Sequence, residues 1–198
     1  MRSVSVSDFI PSLRQLINVP LPGLMTDAIV KASQVFCRQS KVVTFHRSME
    51  QVSAGQTVNV VVDSSENEAT ENSYKSSEVM SVTAEGDLLQ LNVDYLVISR
   101  DEVRFLESHT NVIVVCALEP TQHATQLPVI LLDDYLDGIC AGAASLLYSQ
   151  PDSDWFNAEL SAFHDRKFVE SYREAARFRL EASPDLSFRN PVRRREFF

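Results

Sequence analysis

Apolar residues recur at helical spacing near both ends of the chain and at strand spacing in the middle. From about 7 to 17, and again from 24 to 39, they return every three or four positions, which predicts two amphipathic helices. Ser7 is the expected N-cap of the first helix. The sequence NVPLPG separates the two helices, because proline and glycine interrupt helical structure.

At Val42 the spacing changes to that of β-strands. The sequences VVTFHR and QTVNVVVD flank a turn at Ala54-Gly55 and predict a hairpin. Residues 63–78 contain almost no apolar side chain and predict a solvated loop. Later segments predict further strands, for a total of five to seven, with a turn at 85–87. The apolar run from Val112 to Val115 predicts a central strand that is covered on both faces.

Helical spacing returns after Pro128 and predicts two more helices. The third helix carries one apolar stripe, formed by Leu132, Tyr135, Leu136, Ile139, Ala143, Leu146 and Leu147. The sequence QPDSDW ends it, and a charged amphipathic helix follows from about 157 to 181. Pro184 and the residues after it predict an extended tail.

This order of elements predicts an α+β fold, in which a bundle of about four helices carries an inserted antiparallel β domain. The expected helical bundle comprises 1–41 and 128–182. The expected β domain comprises 42–127. An extended C-terminal arm, 183–198, completes the chain of 198 residues, a length that suits one domain with an insertion.

The net charge of −9 is distributed unevenly. Residues 1–41 and 182–198 have an excess of basic side chains, whereas 42–132 hold thirteen acidic and four basic residues. An acidic body repels nucleic-acid phosphates, which disfavours tight DNA binding. The N-terminus lacks the apolar region of a signal peptide, and no apolar run reaches the length of a membrane span.

The sequence contains candidates for catalysis but no complete catalytic or metal-binding pattern. Cys37, Cys116 and Cys140 form no CxxC pair, so they are expected to be reduced and buried. The charged residues that precede Cys140 in the sequence are all acidic and oppose thiolate formation; these are Asp133, Asp134 and Asp137. The position of the three aspartates is better explained by the positive end of a helix than by a role as paired acid–base catalysts.

The four histidines show no metal-ligand spacing; they are His46, His109, His123 and His164. Nucleotide-binding loops and nucleophile elbows are absent from the sequence, so neither an enzyme nor a cofactor is expected.

Two features indicate packing or partner binding instead. Gly138, Gly142 and Ser145 give the third helix a face of small residues, suited to close contact within the subunit or between subunits. Trp155 is the expected apolar anchor of the turn that follows. The tail combines aromatic and basic residues; these are Phe188, Arg189, Arg193, Arg194, Arg195, Phe197 and Phe198. It is interpreted as an arm that binds a partner, with a frayed terminus and a nucleic-acid patch as the alternatives.

Three segments of this chain, taken in order, resemble the head-to-tail adaptor (connector) proteins of tailed bacteriophages, especially those of podovirus type. They are LPGLMTDAIVKASQVFCRQSKVV, then VDYLVISRDEVRFLES followed by NVIVVCALEPT, then LPVILLDDYLDGICAGAASLLYSQPDSDWFNAELSAFHDRKFVESYREAARFR. In the last segment the matching positions are Tyr135, Ile139, Gly142, Ala143, Leu146, Leu147, Pro151, Trp155, Asn157, Leu160, Phe168 and Ala176. Asp154 stands where a proline is frequent in the family.

The resemblance implies a structural, non-enzymatic protein of the virion neck, made in the cytoplasm of the host bacterium. Such proteins form a ring, usually of twelve copies, that joins the portal protein to tail or nozzle proteins. Genomic DNA passes through the channel without specific binding, and no membrane is involved. The arm 183–198 is then expected to reach the portal or a neighbouring subunit. The alternatives are a neck stopper or tail-completion protein, a DNA-packaging factor that binds nucleic acid through its arginine-rich tail, and a cytosolic enzyme using Cys140 or His164.

Overall fold

The computed structural model describes residues 2–61 and 73–182. These ranges contain five α-helices, namely α1 (Ile10–Leu16), α2 (Pro22–Ser40), α3 (Val129–Asp133), α4 (Leu136–Tyr148) and α5 (Ala158–Ala182). They also contain nine strands, namely β1 (Ser3–Ser5), β2 (Thr44–Val52), β3 (Thr57–Asn59), β4 (Tyr74–Ala84), β5 (Asp87–Leu88), β6 (Tyr95–Val97), β7 (Glu102–Phe105), β8 (His109–Pro120) and β9 (Gln126–Pro128). The predicted α+β fold is therefore confirmed. The predicted arm 183–198 lies outside the described residues.

Strands β2 to β8 form two antiparallel sheets, with orders β2-β8-β4-β5 and β3-β7-β6. The long strand β8 lies between β2 and β4, so it is the centre of the larger sheet. β1 and β9 form a separate two-stranded sheet that joins the N-terminus to the end of the β region. The sequence pattern missed this pair, because strands of three residues are too short to establish a period of two.

The first helical segment begins earlier than predicted. A 3₁₀ turn (Val6–Phe9) precedes α1, and Ser5, rather than the expected Ser7, is its N-cap. The Ser5 hydroxyl accepts a hydrogen bond from the amide of Ser7, and the Asp8 carboxylate accepts one from the amide of Ser5. This reciprocal capping box satisfies two amides that the turn leaves unpaired.

The predicted hairpin across Ala54-Gly55 is wrong, although the chain does turn there. β2 pairs with β8, whereas β3 pairs with β7 in the other sheet. The amide of Gln56 donates to the carbonyl of Ser53 at 3.0 Å and closes the turn, while the amide of Gly55 donates to the carbonyl of Phe105 at 2.8 Å and ties the turn to the end of β7. A glycine suits this position because its φ is +81°.

The predicted loop 63–78 is wrong at its C-terminal end, because β4 begins at Tyr74. Residues 63–72 lie outside the described part of the chain. Tyr74 and Ser76 are buried, and the amide of Ser76 donates to the Asp101 carboxylate at 2.7 Å. The sequence pattern did not predict the start of β4, because the inward-facing position 76 is occupied by serine rather than by an apolar residue.

The run Val112 to Val115 forms part of the central strand, as predicted, but it is covered on one face only. Val112 and Val114 are fully buried, whereas 40% of Ile113 is exposed. Apolar residues at alternating exposed positions therefore made a half-buried strand resemble a fully buried one.

The predicted third helix is interrupted at Asp134 and Tyr135, which separate α3 from α4. Tyr135 has φ −129° and ψ 17°, outside the helical region. Of the three aspartates assigned to a helix start, only Asp137 lies in the first turn of α4, whereas Asp133 ends α3. The helix-dipole explanation therefore applies to Asp137.

The helices and sheets share one cluster of buried apolar side chains, and a buried carboxylate joins them at one edge. Glu119, near the end of β8, accepts hydrogen bonds from Arg38 of α2 at 2.7 and 2.9 Å. Lys75 of β4 lies 3.2 Å from the same carboxylate. Gln34 of α2 also donates to the carbonyl of Pro120 at 3.1 Å. These contacts fix the C-terminal half of α2 against the sheet.

Candidate functional site

The hairpin formed by α4 and α5 contains most of the site residues that the sequence singled out. A Cβ at Gly142 would lie 2.7–2.9 Å from the ring of Phe168, and one at Gly138 would collide with the Ser171 hydroxyl. These distances are shorter than van der Waals contact, so both glycines allow α5 to approach α4. Ser145 continues this face, because its carbonyl accepts a hydrogen bond from Ser161 at 3.0 Å. The close contact therefore lies within the subunit.

The turn between α4 and α5 is closed by hydrogen bonds at both ends. The amide of Asn157 donates to the carbonyl of Tyr148 at 3.0 Å, which returns the chain to the end of α4. The Asn157 side chain accepts from the amide of Leu160 at 3.0 Å and caps the start of α5. Trp155 is half-buried and packs against the core. These contacts fix the path of the chain between α4 and α5.

Cys140 lies on the buried side of α4, and its thiol is 3.7 Å from the carbonyl oxygen of Phe9. Burial, with a smaller contribution from Asp137, raises the pKa of Cys140 to about 12. Burial likewise raises the pKa of Cys116 to about 11 and shifts the pKa of Cys37 upward. All three cysteines are free and buried, as expected, and their thiols are protonated at neutral pH.

We predict that the native protein resists thiol alkylation. At pH 8, iodoacetamide is expected to modify the native chain at least about tenfold more slowly than the unfolded chain, because thiolates are scarce and the sulfurs are inaccessible. Mass spectrometry after timed quenching gives the rate for each cysteine. Rapid modification of Cys140 in the folded state would contradict its buried placement.

The four histidines lie far apart in the fold, in β2, at the start of β8, between β8 and β9, and on α5. His164 alone is buried; its ring stacks on Tyr148 with centroids 5.8 Å apart. Burial, followed by the charge of Lys167, lowers the pKa of His164, so its imidazole is neutral at pH 7. Among residues 2–61 and 73–182, no group of three histidine, cysteine or acidic side chains is placed to hold a metal ion.

One flank of α5, beside the face that packs on α4, carries exposed apolar side chains that the sequence pattern alone does not single out. Leu160, Phe163 and Phe178 follow each other at helical spacing and are 37%, 43% and 63% exposed. Lys167 lies between them, with its ammonium 4.6 Å from the centre of the Phe163 ring. We call Leu160, Phe163 and Phe178 the α5 stripe. Its signal in the sequence was an apolar arc on α5 wider than one buried face requires.

The predicted partner-binding residues of the tail lie outside the described residues, so the structure does not bring them into this site. They are Phe188, Arg189, Arg193, Arg194, Arg195, Phe197 and Phe198. Within the described part of the chain, no helix combines the length and apolar character needed to cross a membrane.

The chain was also compared with known proteins. No protein-family model matches it, and a search of curated proteins gave no significant match.

Proposed function

We propose that the protein is a structural head-to-tail adaptor of a tailed bacteriophage. Copies of the chain pack side by side into a ring, which binds the portal protein on one side and tail or nozzle proteins on the other. Genomic DNA passes through the ring. The protein acts in the neck of the virion by holding its partners in place and performs no chemical reaction.

The observation that carries this proposal is the two-sided construction of the α4–α5 hairpin. The face of α5 that packs on α4 is closed by the contact of Gly142 with Phe168, while the neighbouring flank of α5 presents the α5 stripe to solvent. Exposed phenylalanines on a rigid helix suit the centre of a protein–protein interface, where large apolar side chains supply most of the binding energy. This hairpin is also the segment whose residues most resemble the adaptor family.

The charge of the chain supports the second part of the proposal, the passage of DNA. A net charge of −9 repels the phosphate backbone, so a channel built from such subunits does not retain DNA by electrostatic attraction. The chemistry of the described residues is consistent with a structural role, since the thiol of Cys140 is protonated and inaccessible.

We predict that the α5 stripe is needed for assembly at the portal. The double substitution Phe163→Ser and Phe178→Ser is expected to weaken co-sedimentation with emptied, tailless capsids at least about tenfold, because each exposed aromatic contributes more than about 1 kcal/mol to an interface. Leu21→Ser is the matched control, since Leu21 is 57% exposed and lies outside the stripe. Capsids that lack the portal measure non-specific association.

Retained binding by the double variant would contradict the role assigned to the stripe. Circular dichroism distinguishes this outcome from unfolding, because both phenylalanines are substantially exposed and their replacement is expected to leave the fold intact.

A further inference from the structure

The α5 stripe is part of a longer flank of α5 that also carries charge. At about 100° per residue, six exposed side chains of this helix lie within an arc of about 80°. They are Leu160, Phe163, Lys167, Glu170, Glu174 and Phe178. The apolar residues lie toward the two ends of the flank, and the charged residues lie between them. The flank therefore offers both apolar and charged groups to a partner.

Phe178 lines an open cavity of about 400 Å³ on this side of the helix. Four lining residues have the spacing i, i+3, i+4 and i+7 along α5; they are Ser171, Glu174, Ala175 and Phe178. In knobs-into-holes packing, four residues with this spacing form the hole that receives one side chain of a facing helix. Asp134 and Tyr135 line the same cavity, so the hole is deepened by the chain between α3 and α4.

A second copy of α5, running antiparallel to the first, supplies an apolar side chain for this hole. When Leu160 of each copy lies beside Phe178 of the other, Phe163 of each copy lies over the other copy's cavity. Each contact then occurs twice, because the pair has two-fold symmetry. The exposed apolar side chains at the two ends of the flank are thus covered together.

The same register also brings opposite charges together. Lys167 of each copy lies opposite the helical turn that carries Glu170 and Glu174 of the other copy. Within the described part of the chain, Lys167 forms no ion pair with a carboxylate, so its ammonium is available to a second copy. Because the apolar match and the charge match arise from one register, the flank is complementary to itself.

We propose that the free protein is a two-fold symmetric dimer, in which antiparallel α5 helices cover each other's stripe. The dimer adds a regulatory step to the proposed function. Since the portal uses the same stripe, a subunit must leave its dimer before it joins the neck. This exchange rests on the proposed adaptor function, whereas the dimer itself belongs to the isolated protein.

Charge reversal in the full-length protein tests the pairing. Sedimentation equilibrium is expected to give the mass of a dimer for the unsubstituted chain. Lys167→Glu is expected to raise the dissociation constant of the dimer at least about tenfold, because it brings like charges together. Glu170→Lys combined with Glu174→Lys is expected to do the same. Lys31→Glu is the matched control, since Lys31 is an exposed lysine of α2, and it is expected to leave the dissociation constant unchanged.

An equimolar mixture of the two charge-reversed variants is expected to form a dimer again. In the mixed pair, the new glutamate of one chain faces the two new lysines of the other. At the second contact, Lys167 still faces Glu170 and Glu174. Labelling one variant with ¹⁵N identifies the mixed pair by native mass spectrometry.

An unsubstituted chain whose mass is not that of a dimer would overturn the proposal. A dimer that Lys167→Glu leaves intact, or charge-reversed variants that do not pair when mixed, would do the same. Circular dichroism identifies any unfolded variant, and none is expected, because all the substituted side chains are exposed. The experiment contains no capsid or portal, so its failure leaves the adaptor function to be judged separately by capsid binding.

Discussion

Glu119→Gln is expected to lower the free energy of unfolding by about 2 to 3 kcal/mol at pH 7. The carboxylate is fully buried and interacts with Arg38 and Lys75, both of which retain contact with solvent. A glutamine offers one carbonyl oxygen, and its amide group directs hydrogen atoms toward a cation. The substitution therefore removes charge-assisted hydrogen bonds between α2 and the sheet. Chemical denaturation of both proteins measures the difference.

Glu78→Gln is the matched control, because Glu78 pairs with Lys41 at the surface and its side chain is 52% exposed. It is expected to cost less than about 1 kcal/mol. An equal loss of unfolding free energy in the two variants would show that burial does not increase the contribution of Glu119 to stability.

The effect of Glu119→Gln is also expected to depend on pH. Burial raises the pKa of Glu119, but hydrogen bonds and charges from Arg38 and Lys75 outweigh burial and hold the pKa below its ordinary value. A carboxyl whose pKa is lower in the folded state stabilises the protein above its unfolded pKa, about 4.3 for glutamate. This stabilisation disappears as pH falls through the folded pKa. The difference between wild type and variant should therefore be full at pH 6 to 7 and shrink below about pH 4; a constant difference down to pH 3 would contradict this account.

Gly142→Val is expected to destabilise the protein by about 3 kcal/mol, because the added carbons collide with the Phe168 ring. That ring cannot move aside freely, since it is buried and lies 6.3 and 5.4 Å from the rings of Phe36 and Tyr172. Thermal unfolding monitored by circular dichroism measures the loss. Gly23→Val is the control, since a Cβ at Gly23 in α2 meets no atom within 4 Å. It is expected to be neutral or slightly stabilising.

Combining Gly142→Val with Phe168→Leu separates a steric collision from other effects. The smaller side chain makes room for valine, so the double variant should be more stable than the sum of the two single losses predicts. Strict additivity would mean that the collision with Phe168 is not the cause.

The sequence predicted those parts of the fold whose side chains follow one clear period. α2 and α5 were predicted to within about two residues, because their apolar stripes are long and proline or asparagine marks their starts. The pairing of β2 with β8 was not predicted, because local periodicity reports that a strand exists but not which distant strand it joins. Tyr135 shows a similar limit: its place in the apolar stripe fits a continuous helix, whereas its backbone interrupts one.

In the candidate site, too, the sequence pattern predicted individual residues but not the distant residues that they contact. The small residues at Gly138 and Gly142 were evident in the sequence, but their partners Ser171 and Phe168 lie about thirty residues away and appear only in the fold. The α5 stripe escaped notice because a buried and an exposed apolar position look alike in a sequence. Its exposure depends on which side of α5 faces α4, and tertiary packing decides that.

The adaptor proposal is tested most directly by imaging emptied, tailless capsids after incubation with the purified full-length protein. We predict new ring-shaped density at the portal vertex in cryo-electron micrographs, and none on capsids that lack the portal. A protein that stays monomeric and leaves the portal vertex unchanged would contradict the account.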